Sequence, residues 1–332
     1  MSVLPNIALL GCGYWGKNLA RNLHELGALQ LVCDPAESGL MAAAENAPGV
    51  ATSSEFNDAL RSGDIEAVVI ATPAETHFEL TAAALNAGKD VFVEKPLALQ
   101  ASEGEQLNDL AQELGRVLMV GHLLEYHPAV VRLHELIDAG ELGNVNYIYS
   151  NRLNFGKVRT EENALWSFAP HDVAVILRLL GEMPVEVTCA GGSYLTAGLA
   201  DVTVSTLQFQ SGRRAHIFVS WLNPFKEQKL VVMGEQRMAV FNDVTAEDKL
   251  VLYDQRVDFQ EAMPVLQNDG QQAIAVSGDE PLRRECEHFL ECVATRSTPL
   301  TDAESGVRVL RVLEACQASL QENGRPKSLD EH

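Results

Sequence analysis

The chain has 332 residues, 46% hydrophobic and 21% charged, with a formal net charge of −21: the balance of a globular protein long enough for two domains. So acidic a chain argues against nucleic acid and anionic membrane as partners. No apolar run reaches the about 18 residues of a membrane span, and the N-terminus lacks the basic and apolar regions of a signal peptide.

The first element is a short apolar strand, Ile7 to Leu10, which runs into Gly11, Gly13 and Gly16 at G-x-G-x-x-G spacing. The first glycine permits a tight turn, the second a close backbone approach to a pyrophosphate, and the third helix–strand packing. Leu19, Leu23 and Leu26 follow at helical spacing, with Gly27 as the C-cap. A second strand, LQLVC, ends at Asp34, about 20 residues beyond the loop, where an acidic residue bonds a ribose 2′-hydroxyl and repels a 2′-phosphate. Strand, loop, helix and acid together predict a dinucleotide site that prefers NAD to NADP.

The same rhythm continues. AVVIAT at 67–72 reads as a buried strand, with a helix after it ending at Gly88, and DVFVE at 90–94 as the next strand. Ser102-x-x-Glu105 has the form of a capping box, opening a helix with Leu107, Leu110 and Leu114 on one face. RVLMVGH at 116–122 is a further strand. Alternating strands and helices predict a doubly wound parallel sheet, and ligands in such sheets lie beyond the carboxyl ends of the strands. That rule singles out Thr72-Pro73, Glu94-Lys95-Pro96 and Gly121-His122.

Beyond residue 123 the pattern changes. A helix at 128–140 precedes an alternating segment at 144–154, and a second helix is expected at 171–180. Strand-like runs at 185–194, 201–210, 213–221, 228–233, 237–242 and 248–252 follow without intervening helices, which predicts a largely antiparallel open-faced sheet. The Gln-, Asp- and Gly-rich stretch at 260–278 is expected to be a mobile loop, and helices at about 280–295 and 302–322 close the chain. The predicted fold is thus α/β: a Rossmann domain at 1–123, then an α+β domain at 124–332 whose C-terminal helix is able to pack back on the first.

Gly11-Cys12-Gly13-Tyr14-Trp15-Gly16, the Thr72-Pro73 strand exit and above all Glu94-Lys95-Pro96 resemble the Gfo/Idh/MocA oxidoreductases over essentially the whole length. The resemblance implies an NAD-dependent enzyme acting on a CH–OH group. Its lysine, Lys95, would project between nicotinamide and substrate, assisted by His171 at the start of a helix. It also implies a cis Lys95–Pro96 bond. Ser167 stands where the family pattern has an aspartate four residues before the histidine, which marks a distinct branch. The segments 150–172 and 221–243 resemble nucleotide-sugar 3-dehydrogenases, whose substrate is UDP-N-acetylglucosaminuronate (UDP-GlcNAcA) in the biosynthesis of bacterial surface polysaccharide such as lipopolysaccharide.

On that footing Tyr14 and Trp15 present peptide groups to the pyrophosphate while one ring shields the nicotinamide or packs on the sheet, Glu94 and Lys95 belong to the cofactor-binding residues, and Thr72, Pro73 and His77 border the adenosine or ribose side. Oxidising a secondary alcohol requires loss of the hydroxyl proton as hydride leaves carbon; either Lys95, after a buried strand, or His171, which titrates near neutrality, suits that task. Arg152, Lys157 and Arg159 cluster within eight residues of an otherwise acidic chain and suit a carboxylate or diphosphate. Asn151 and Asn154 suit sugar hydroxyls, and Lys226 and Arg237 a diphosphate or a subunit contact. His122, His127, Trp166 and Trp221 read as structural. The six cysteines show no C-x-x-C pair, as expected of reduced thiols in a cytoplasmic protein, and no metal site is expected.

The expected partners are a UDP-sugar, 2-oxoglutarate as a candidate oxidant for NADH recycled in place, and further copies of the chain, as a dimer or tetramer covering the open sheet. A dehydrogenase of a free polyol, like the inositol dehydrogenases, and a non-catalytic dinucleotide and sugar sensor are the alternative readings.

Overall fold

The computed structural model describes residues 4–329. The chain forms two units: residues up to Tyr126 with Asp279–Leu310, and His127–Gly278 with the segment from Arg311 onward. The division therefore falls three residues beyond 123/124, and a segment that the sequence reading gave to the second domain belongs to the first. The reason is apolar packing of a kind that periodicity cannot assign to a particular sheet. Leu282, Cys286, Phe289 and Leu290 are buried in one cluster with Ile7, Leu9, Leu19 and Phe92.

In the first unit, strands β1 (Ile7–Leu10), β2 (Leu29–Cys33), β3 (Ala51–Ser53), β4 (Ala67–Ile70), β5 (Asp90–Glu94) and β6 (Leu118–Gly121) form one sheet in the order β3-β2-β1-β4-β5-β6. Every pairing is parallel. Strand order reverses at β1 and β4, so the crevice for a ligand opens beyond their carboxyl ends. The connecting helices are α1 (Gly16–Glu25), α2 (Glu37–Asn46), α3 (Phe56–Arg61), α4 (His77–Asn86) and α5 (Ala101–Glu113). Between 35 and 66 the sequence offers weak signals: α2 buries only Gly39 and Ala43, and β3 buries nothing. The α5 capping box is formed by Gln100 and Glu103, two residues earlier than Ser102 and Glu105, because the helix already begins at Ala101.

The second unit holds α6 (Pro128–Asp138), capped by His127, whose Nδ1 accepts from the Ala129 amide. Strands β7 (Val145–Phe155), β8 (Pro184–Gly192), β9 (Val202–Phe209), β10 (Arg214–Ser220), β11 (Leu222–Gly234), β12 (Met238–Asn242), β13 (Leu250–Gln260), β14 (Met263–Ala273) and β15 (Lys327–Ser328) build a second sheet. Its order is β14-β13-β12-β11-β7-β10-β9-β8-β15, antiparallel except where β7 meets β10. The helices α7 (Ala164–Leu180), α8 (Pro281–Thr295) and α9 (Ala303–Gln321) complete the chain, α8 lying in the first unit.

Two expectations for this half are corrected. The stretch 260–278 is for the most part ordered: its residues to Ala273 form the tip and second strand of the β13–β14 hairpin. Its turn places Glu261 and Ala262 at φ 49° and 67° without the Asn or Gly that announces such turns, and its strands are held by backbone pairing over largely exposed side chains. The helix expected at 171 begins at Ala164. Asn163 is the cap, accepting from the Trp166 amide at 3.2 Å, and Pro170, which resembles a helix start, lies inside the helix.

Candidate functional site

The glycine loop between β1 and α1 is shaped by what each position leaves out. At Gly11 φ is +89°, and a Cβ there would lie 2.8 Å from the Ala71 carbonyl oxygen. At Gly16 a Cβ would lie 2.2 Å from the Gly11 carbonyl oxygen, so the helix can start against the turn only with glycine. Gly13 has nothing within 4 Å of such an atom, which leaves an open side that suits a pyrophosphate at the α1 amides. Tyr14 is exposed, with the Lys17 ammonium 5.7 Å from its ring centroid.

Asp34 follows β2 and is nearly buried. Its Oδ2 accepts from the Cys12 amide at 2.7 Å and its Oδ1 from the Ala36 amide at 2.8 Å. A carboxylate keeps further lone pairs for a ribose hydroxyl, and its charge disfavours a 2′-phosphate. A Cβ at Gly39 would stand 2.2 Å from the Asp34 carboxyl carbon, so this glycine, which sequence reasoning missed, makes room for the acid. The open Gly13, the two glycines that admit no side chain and the anchored acid fit a dinucleotide.

At the carboxyl ends of β4 and β5 two loops are tied together. His77 is buried, with Nδ1 2.6 Å from the Pro96 carbonyl oxygen and Nε2 3.0 Å from that of Thr72. Burial lowers its pKa, against the raising effect of those two carbonyls. The residue expected to border the cofactor is thus a brace between the Thr72-Pro73 and Lys95-Pro96 loops. The Lys95–Pro96 bond is cis. Glu94 accepts from Trp15 Nε1 at 2.5 Å and from the Lys95 amide at 3.2 Å. Burial pushes its carboxyl up to about 7, opposed by the Trp15 donor and the Lys95 charge. His122 lies one residue past Gly121, the register partner of Glu94; burial, and secondarily Lys95, holds its imidazole down to about 4, a neutral ring beside a lysine.

In the second unit the expected basic cluster is largely spoken for. Arg152 donates through Nε to Asp172 Oδ2 at 2.8 Å and through Nη2 to Oδ1 at 3.1 Å, while Ser150 Oγ donates to Oδ1 at 2.6 Å. Asp172 is buried and Arg152 only slightly exposed, and with its guanidinium engaged twice Arg152 is not a free anion receptor. Asn151 bonds Glu227 at 2.7 Å, and strand alternation puts it on the face of β7 opposite to Arg152. Two residues read as neighbours in one site therefore point apart. Arg159 pairs with Glu162 at 3.1 Å, and Arg237 lies between Glu141 at 2.8 Å and Asp254 at 2.5 Å, on the surface. Lys157 and Lys226 are exposed. Asn154 Oδ1 is buried without a hydrogen-bond partner among the described residues. His171 is half-buried within α7, not at its first turn.

Trp221 is buried and donates to Asp201 at 2.6 Å, and Trp166 donates to Gln317 at 3.2 Å. All six cysteines are buried and unbridged. Among the described residues no helix is long and apolar enough to cross a membrane, and no group of three or more His, Cys, Asp and Glu side chains is arranged to hold a metal.

Residues 5–122 match the GFO/IDH/MocA oxidoreductase family, NAD-binding Rossmann fold, and residues 130–240 the GFO/IDH/MocA C-terminal domain. The 2,7-anhydro-N-acetylneuraminate hydratase of Mediterraneibacter gnavus is 31% identical over 68% of this chain, and the match spans 64% of that relative, less than two thirds of its length. The UDP-N-acetylglucosamine 3-dehydrogenase of Acidithiobacillus ferrooxidans is 28% identical over 78% of this chain and 81% of its own. Its solved structure has a TM-score of 0.84 at 25% identity, covering 96% of this chain and 97% of that one. The scyllo-inositol 2-dehydrogenase (NAD(+)) of Bacillus subtilis is 26% identical over 97% and 96% of the two chains.

Proposed function

This chain belongs to the Gfo/Idh/MocA oxidoreductase family, and we propose that it oxidises the 3-hydroxyl of a UDP-linked N-acetylamino sugar, UDP-GlcNAcA foremost, with NAD as acceptor. The observation that carries the reading is the likeness, over nearly the full length of both chains, to a UDP-N-acetylglucosamine 3-dehydrogenase. Its product would be a 3-keto sugar.

When bound, NAD supplies the nicotinamide carbon that accepts the hydride. The amides of the Gly11–Gly16 loop hold its pyrophosphate and Asp34 its ribose. Lys95 is proposed to carry the proton of the reacting hydroxyl, a contribution of about 10²–10⁴-fold in rate, and His171 is the other candidate for that role. With Arg152 paired to Asp172 and Arg159 to Glu162, Lys157 and Lys226 remain for the carboxylate and diphosphate, and Asn154 for the sugar.

We also infer that the chain self-associates. Phe259, Met263 and Leu266 are each more than two-thirds exposed on the β13–β14 hairpin, an apolar surface of the kind that marks contact with a partner.

The direct test is Lys95→Ala. Formation of NADH from UDP-GlcNAcA is expected to fall about 10²-fold or more while NADH binding persists. Unchanged turnover in that variant would remove Lys95 from the chemistry. Adding 2-oxoglutarate to single-turnover reactions distinguishes NADH recycled in place from NADH released.

A further inference from the structure

Trp15 and Glu94 are 79 residues apart in sequence, one in the glycine loop and the other at the end of β5, yet their side chains meet at 2.5 Å. The second Glu94 oxygen accepts from the backbone amide of Lys95. The carboxylate also occupies the space of a missing side chain: a Cβ at Gly121 would lie 2.9 Å from Oε2. Glu94 is thus held from three sides: the glycine loop, the lysine loop and β6.

The charged and titratable groups that face it are Lys95 from its own loop and Glu285 and Cys286 from α8. Glu285 is fully buried and neither of its oxygens has a hydrogen-bond partner among the described residues. Burial raises its pKa well above the usual range, with Glu94 and Glu125 adding to the shift. Of the hydrogen bonds that Glu94 accepts, the one from the Trp15 N–H is the shorter.

We propose that Trp15 is a positioning residue: its indole N–H fixes the Glu94 carboxylate, and through the Lys95 amide that carboxylate fixes the loop that carries the lysine. The loop that binds the cofactor and the loop that bears the proton-handling group are thereby set as one piece. The proposal rests on the reading of Lys95 given above. It accounts for a large aromatic at a position where the motif itself asks for no particular side chain.

Trp15→Phe keeps the ring and removes the donor, while Trp15→His keeps a donor. Three quantities are read: the Glu94 carboxyl titration by carbon-13 NMR, identified by its loss in Glu94→Gln; NADH affinity by fluorescence; and kcat and KM with the UDP-sugar across pH. In Trp15→Phe the Glu94 pKa is expected to rise from about 7, because the ionised form has lost a donor. NADH affinity should stay within about threefold and KM nearly constant, while kcat drops about tenfold and its pH dependence moves upward. Trp15→His should restore the titration and most of kcat. An unmoved Glu94 titration in folded Trp15→Phe, or a collapse of NADH affinity at constant kcat, would overturn the proposal. Wild-type protein that oxidises no UDP-sugar would instead count against the proposed function, and the NMR and NADH titrations would still decide the role of Trp15.

Discussion

Asp172 takes the Arg152 guanidinium on both carboxylate oxygens, at 2.8 and 3.1 Å, and it is the residue immediately after His171. The pair joins β7 to α7 with Asp172 buried and Arg152 only slightly exposed, so the Asp172 side of the pair is largely shielded from water and removing one partner leaves the other poorly solvated. Asp172→Ala should therefore lower unfolding free energy by about 3–5 kcal/mol, read from urea denaturation. A paired replacement by apolar residues of similar volume should recover most of that loss. A loss below about 1 kcal/mol in the single variant would mean that the pair is solvated.

The glycine loop offers a contrast between two substitutions of one atom group. Gly13→Ala meets nothing within 4 Å and should fold as wild type, yet weaken NADH by about tenfold or more, because the methyl fills the side open to the pyrophosphate. Gly16→Ala places its methyl 2.2 Å from a backbone oxygen and should cost about 1–3 kcal/mol of stability. Thermal melts with parallel NADH titrations separate the two effects. Equal behaviour of the variants would contradict the assignment.

On the proposed reading Asp34 carries the cofactor preference. NADH should bind at least about tenfold more tightly than NADPH, and Asp34→Ser should narrow the gap. That variant also gives up two backbone hydrogen bonds, so a lower melting temperature should accompany it. Equal affinities in wild type would show that the acid faces away from the ribose.

Asp243 predicts the acid limb of stability. Burial alone would raise its pKa, but His127 and Lys249 prevail and hold the carboxyl at about 2. A carboxylate depressed below its unfolded value of about 3.9 contributes stability that is full above that pH and lost as pH falls through the folded value. Asp243→Asn should be less stable than wild type at pH 6 and converge with it towards pH 2. Urea midpoints at several pH values test this, and a constant difference across the range would contradict it.

Much of the first unit was legible because its signals are local. The glycine spacing, the acid after β2 and the strand exits all lie within short windows, and the parallel sheet follows from their rhythm. The partners of those residues were not legible. Trp15 finds Glu94, and Arg152 finds Asp172, through strand register and helix placement that no single window records. His171 was misplaced by a competing signal, since Pro170 imitates a helix start while the true cap, Asn163, lies seven residues earlier. The β13–β14 hairpin escaped notice because its second strand alternates weakly and its turn lacks Asn and Gly.

The most direct test of the central claim is NADH formation by the wild-type chain with UDP-GlcNAcA, UDP-N-acetylglucosamine and free scyllo-inositol offered side by side at equal concentration. The account predicts turnover with the UDP-sugars, fastest with the uronate, and little or none with the free polyol. Faster turnover of inositol than of either UDP-sugar, or NADH binding with no oxidation of any UDP-sugar, would contradict it.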